Sequence, residues 1–106
     1  MKKHNKNKGI TLQATVTKKY KERVIEYSNK IGISYSNLLF SALDQQLLLD
    51  NIKSYDFKEH RNSKISIGVT EKFKKRVVKY CEEKNIYKSE FIISAIENYI
   101  DRRKYI

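Results

Sequence analysis

The chain has 106 residues, of which 40% are apolar and 33% charged. That is enough for one small domain with its own core and too little for a large enclosed substrate cavity. Its 23 Lys and Arg against 12 Asp and Glu leave a net charge of +11, which points to a polyanionic partner such as DNA, RNA or an anionic membrane surface. A single cysteine, Cys81, and two histidines, His4 and His60, supply neither a disulfide framework nor metal-ligand spacing, and no cofactor is expected. No apolar run approaches the ~20 residues of a membrane span, so no membrane partner by insertion is expected. The opening MKKHNKNKG leads into no apolar stretch of a secretory signal.

In chain order, residues 1–9 read as a flexible basic arm. Lys2, Lys3, Lys6 and Lys8 carry +4 with no apolar periodicity around them. From Thr11, apolar Leu12, Ala14 and Val16 alternate with Thr11, Gln13 and Thr15, the period-two pattern of a strand with one buried face. Thr17 stands where a helix N-cap belongs. Tyr20, Val24, Tyr27 and Ile31 follow at helical spacing as far as Gly32, which suits a left-handed C-cap. Leu38, Leu39, Ala42, Leu43 and Leu47 then predict a second helix.

Residues 51–63 are polar and weakly periodic, and read as a connection, with the helix before it running on through Ile52. Ile65, Ile67 and Val69 next alternate with Lys64, Ser66 and Gly68, predicting a second strand. Thr70 repeats the cap, Phe73, Val77 and Tyr80 repeat the helix, and Asn85 takes the place of Gly32. Phe91, Ile92, Ala95, Ile96 and Ile100 mark a last helix, whose final turn extends into DRRKYI.

This is a duplication. Shifted by 53 residues, positions 11–47 lie on 64–100 without a gap, and 11 of the 37 pairs are identical, among them Thr17/Thr70, Arg23/Arg76 and Tyr27/Tyr80. Chance would give about two or three. The organisation expected is an arm (1–9), a first unit (10–50), a connection (51–63) and a second unit (64–106). One strand has no partner within its unit, and about 45 residues seldom bury enough surface to fold alone. The fold class expected is therefore mostly α with a two-stranded antiparallel β-ribbon: two β-α-α units in one chain, their strands paired over a shared four-helix core. The outward face of such a ribbon carries Thr11, Gln13, Thr15, Lys64, Ser66 and Gly68, and a ribbon of this width fits the major groove of B-DNA.

Both units resemble the ribbon-helix-helix DNA-binding proteins, the family of the Arc and Met repressors and the small plasmid copy-number repressors. The second unit, ISIGVTEKFKKRVVKYCEEKNIYKSEFIISAIENYI, is the closer match, and together the two span about four-fifths of the chain. Two motifs in one chain are similar to the tandem subgroup of TraY and the transcription regulators of archaeal filamentous viruses, which implies an intrachain pseudo-dimer. The resemblance implies that the six outward residues of the strands contact bases. It implies that Ser34, Tyr35 and Ser36, with Tyr87, Lys88 and Ser89, clamp backbone phosphates, for which free amides and the positive end of a helix dipole are suited. Two departures matter: Gly68 has no side chain to read with, and Tyr87 is a poor N-cap where Ser34 is a good one.

These readings lead to a sequence-preferring regulator of transcription that binds double-stranded DNA, viral or plasmid in character and working in the cytoplasm of its cell or host. Lys2, Lys3, Lys6 and Lys8 are expected to add phosphate contacts. Because the two strands differ, each is expected to read its own half of a non-palindromic site. Tyr27, Tyr80 and Cys81 read as packing residues, and His60 as an exposed residue of the connection. Two alternatives remain: a DNA-coating architectural protein, which high positive charge favours, and an antitoxin, for which only 101–106 would serve as a toxin-binding arm. No nucleophile, general-base or phosphate-loop pattern marks an enzyme, and no small-molecule substrate is expected. Whether copies associate along DNA is left open by the residues.

Overall fold

The computed structural model describes residues 10–103. The arm lysines Lys2, Lys3, Lys6 and Lys8 and the last three residues lie outside them. Six elements follow in order: β1 (Thr11–Val16), α1 (Lys18–Ile31), α2 (Tyr35–Gln46), β2 (Ser63–Gly68), α3 (Glu71–Lys84) and α4 (Lys88–Arg103). The chain is thus mostly helical, with a two-stranded antiparallel sheet.

Strand pairing organises everything else. β1 and β2 run antiparallel, with Thr11 opposite Gly68, Gln13 opposite Ser66 and Thr15 opposite Lys64. Val69 adds one further bond, its N–H donating to the Ile10 carbonyl at 3.0 Å. Leu12, Ala14, Val16, Ile65 and Ile67 all turn to the core and are buried, as the alternation requires. Val69, expected as the last inward strand residue, lies one position beyond β2 and is half-buried.

The helix boundaries have the predicted chemistry. The Thr17 hydroxyl accepts the Tyr20 N–H at 3.0 Å, and the Thr70 hydroxyl accepts that of Phe73 at 3.1 Å. Gly32 (φ 78°) and Asn85 (φ 59°) end α1 and α3 in the left-handed region, which glycine and asparagine tolerate best. Tyr20 and Val24, and Phe73, Val77, Tyr80 and Cys81, are the buried stripes of these two helices. α4 is the most enclosed element, packed against α2 and β1, with buried residues from Phe91 through Ile100.

One boundary departs from expectation. The helix before the connection does not continue through Ile52 but stops at Gln46, where the N–H groups of Leu48 and Leu49 turn back to the carbonyls of Gln45 and Gln46. The cause is a buried polar latch. The Gln46 amide donates to the Asn51 carbonyl at 2.9 Å and to the Tyr80 hydroxyl at 3.0 Å, while Tyr80 donates to the Leu49 carbonyl at 2.7 Å. The Asn98 amide donates to Gln46 Oε1 at 2.8 Å, and the Asn51 amide returns a bond to Asn98 Oδ1 at 3.1 Å. A helical course through 47–52 would take these partners from the buried Gln46, Tyr80 and Asn98, at a cost of about 1–3 kcal/mol for each group left unpaired.

Asn98→Ala should therefore lower stability by about 1–3 kcal/mol, because it strands Gln46 Oε1 in the core. Urea unfolding followed by circular dichroism checks this. A loss under about 0.5 kcal/mol would contradict the latch.

Candidate nucleic-acid interface

The outward face of the ribbon is a polar strip. Gln13, Thr15, Lys64, Ser66 and Gly68 are exposed and Thr11 is half-exposed, and no side chain of the six makes a hydrogen bond to another described residue. Their donors and acceptors are free for a partner. At about 3.4 Å per residue the six-residue strands present a face of roughly 20 Å. The register gives that face a centre and two ends: Gln13 and Ser66, which are also repeat equivalents, lie opposite each other, with Thr15 and Lys64 at one end and Thr11 and Gly68 at the other. Only the first of these ends carries a charge. Nothing in the backbone demands glycine at 68, since a Cβ there would meet only the Ile10 carbonyl, at 4.0 Å. The missing side chain is a property of the surface.

The starts of α2 and α4 differ more than the sequence suggests. At α2, Ser34 is the N-cap, its hydroxyl accepting the Asn37 N–H at 3.1 Å, and the first turn holds no acid. Ser34 and Ser36 are exposed. The Tyr35 hydroxyl is buried with no hydrogen-bond partner among the described residues, and burial raises its pKa. Tyr35 can therefore meet a ligand at this helix start only through its backbone N–H.

At α4, Tyr87 and Lys88 are exposed and Ser89 is half-buried. Here Glu90 supplies the cap, its carboxylate accepting the Tyr87 N–H at 2.8 Å. That acid occupies the positive end of the helix and opposes an incoming anion. Glu90 is a capping residue missed in the sequence, although a glutamate three positions after the cap is the second half of a capping box.

Behind the ribbon, the connection is held by aromatic packing. Tyr55 and Phe57 lie on the buried Tyr20 ring at 4.8 and 5.3 Å between centroids, and Arg23 stands over both Tyr20 and Tyr55. The Tyr20 hydroxyl donates to Glu97 Oε2 at 2.6 Å, and Arg23 donates to the same oxygen at 3.1 Å. Arg23 is thus committed within the protein. Lys18, Lys19, Lys72, Lys75 and Arg76 are exposed, with Lys21 and Lys74 half-exposed. Cys81 is a buried packing residue, its thiol pushed up by burial. His60 is exposed. Among the described residues no helix is long and apolar enough to cross a membrane.

No protein-family model matches the chain, and neither a curated protein nor a solved structure matches it.

Burial, reinforced by the neighbouring Glu97 carboxylate, pushes the Tyr20 phenol far above its ordinary value. In the unfolded chain it ionises near pH 10. Its contribution is complete below that pH and fades as pH rises toward the folded value. Tyr20→Phe should therefore flatten the alkaline loss of stability, measured as urea midpoints at about pH 8 and pH 11. Equal alkaline losses in the two proteins would remove Tyr20 from this account.

Proposed function

We propose that this protein is a sequence-preferring, double-stranded DNA-binding regulator of transcription. It is a tandem ribbon-helix-helix protein in which two β-α-α units form a pseudo-dimer within one chain. The carrying observation is the outward strip: six mostly polar residues, without side-chain hydrogen bonds to the other described residues, on a two-stranded ribbon of a chain with net charge +11. A ribbon of this kind enters the major groove, where base edges carry a distinctive donor and acceptor code. The flanking helix starts meet phosphates. The α2 start, capped by Ser34 and free of acid, is the stronger clamp, and the Tyr87–Ser89 start, screened by Glu90, is the weaker. Lys2, Lys3, Lys6 and Lys8 add affinity through counterion release without reading sequence. The activity is binding, not catalysis, and takes place on DNA in the cytoplasm.

The antiparallel register changes how the site is divided. Each half-site meets the end of one strand and the start of the other, so the strands do not each own a half. Thr15 and Lys64 act together on one half, and Thr11 with Gly68 on the other. Gln13 and Ser66 face the centre. Lysine suits the two acceptors of guanine, and glutamine the acceptor–donor pair of adenine. The preferred site is lopsided, stringent where Lys64 lies and permissive beside Gly68.

Selection from random duplexes at about 0.15 M salt should return a non-palindromic consensus. Lys64→Ala should relax preference in one half only, at a cost of about 1–3 kcal/mol, and Gln13→Ala should relax it at the centre. Absence of any consensus would favour a DNA-coating protein instead, and a perfect palindrome would reject the asymmetric ribbon.

A further inference from the structure

The duplication kept the buried stripes of α1 and α3 alike and reversed the charge along one outer row. Between the two helices, seven equivalent pairs are charged on both members. Lys19/Lys72, Lys21/Lys74 and Arg23/Arg76 are identical. The other four stand at every fourth position, and each is opposite in sign. Lys18, Glu22, Glu26 and Lys30 on α1 answer to Glu71, Lys75, Lys79 and Glu83 on α3. All eight are exposed, and positions four apart form one row along a helix surface. Pairing within the helices uses little of this charge. Lys75 reaches Glu71 at 3.9 Å, and none of the other six makes an ion pair with a described residue.

The two rows border equivalent hollows. Arg23, Glu26, Tyr27, Lys30 and Ile100 line one of about 210 Å³, and Arg76, Lys79, Tyr80, Glu83 and Leu47 line the other, of about 200 Å³. Every member lies 53 positions from its counterpart. The flanks thus present like shapes with unlike charges. Residues 1–9 and 104–106, outside the described residues, contain no Asp or Glu to answer Lys75 and Lys79.

We propose that the α1 row of one chain docks the α3 row of a second copy, joining copies head to tail. Glu22 and Glu26 stand against Lys75 and Lys79, with Lys18 and Lys30 flanking them against Glu71 and Glu83. Such a row turns by about 40° at each step, so the central pairs meet most squarely. Both rows read the same from either end, and two rows of this kind lie side by side when their helices cross at about −50°. Like rows do not match. In register, α1 on α1 sets glutamates against glutamates, and α3 on α3 sets lysines against lysines. A two-fold dimer through either helix is therefore disfavoured, whereas an α1–α3 contact leaves one row free at each end for the next copy. Exposed ion pairs are individually weak. The net charge of +11 adds repulsion between copies, which about 0.15 M salt screens beyond roughly 8 Å while leaving close pairs. The contact needs no DNA and stands apart from the regulator reading.

The test combines a contact map with a rescue. Equal parts of unlabelled and isotopically labelled full chain, at about 0.5 mM in about 0.15 M salt, are treated with a carbodiimide, which joins a carboxylate to an amine where the two touch. Mixed-isotope peptides linking Glu22 or Glu26 to Lys75 or Lys79 are expected by mass spectrometry. Sedimentation equilibrium should show mass rising with concentration, with a Kd of about 1 mM. The double variant Glu22→Lys, Glu26→Lys should weaken association by about tenfold, and so should Lys75→Glu, Lys79→Glu. The second lowers the net positive charge, so its loss cannot come from overall repulsion. An equal mixture of the two variants should associate again, because each reversed row then meets the other. Charges that served only to pair along their own helix would show no such rescue. Circular dichroism should stay unchanged, since all four positions are exposed. The proposal is overturned by absence of mixed-isotope links, by links that avoid either helix, or by a mixture that associates no better than its parts.

Discussion

The structure depends on the antiparallel pairing of β1 with β2. Each strand is six residues long, and among the described residues its one strand partner comes from the other half of the chain. Pairing puts Leu12, Ala14, Val16, Ile65 and Ile67 on one side, making a single apolar floor on which the helices can pack. The same act puts Thr11, Gln13, Thr15, Lys64, Ser66 and Gly68 on the other. Core and candidate interface are two faces of one hydrogen-bonded ladder, and period-two geometry lets neither shift register without exposing the first or burying the second.

Around this ladder the two halves have diverged. On one side, buried Gln46, Asn98 and Tyr80 form a polar network with the exposed Asn51, and the Lys53 N–H donates to the buried Ser94 hydroxyl at 2.7 Å. Lys53 also pairs with Asp101, and Arg102 with Gln45. The connection is thereby fastened to α4 before it reaches the Tyr20 ring. Such a network is stabilising only when every member is satisfied, and it selects one course of the chain from the several that a floppy 16-residue segment between α2 and β2 could take. In the other half Phe40, the repeat counterpart of the buried Ile93, is 45% exposed. The difference between the Ser34 and Glu90 caps adds a second asymmetry at the helix starts, and the Lys64 and Gly68 ends of the ribbon add a third.

Much of this was legible in the residues because it is local. Alternation along 11–16 and 64–68, threonine before each first helix, and glycine or asparagine after it each act within one turn or one strand, and each has a single cheap solution. The duplication then dictated that the strands pair with each other, since equivalent units have equivalent unmet needs. The Glu90 cap was equally local and could have been read from its spacing to Tyr87. Tyr55 and Phe57 were not legible. Two aromatics in a polar, aperiodic stretch carry no signal until the surface they cover is known.

By itself, then, the sequence determined the elements, their caps, the inward and outward faces of both strands, and the excess of positive charge. Tertiary structure decided where α2 stops, which strand residues stand opposite one another, and that Tyr55 and Phe57 pack on Tyr20. The physical reason is range. Periodicity and capping are settled by neighbours a few positions apart, whereas Gln46 meets Asn98, Tyr20 meets Glu97 and Tyr55 meets Tyr20 only after the strands have paired and brought distant segments into contact.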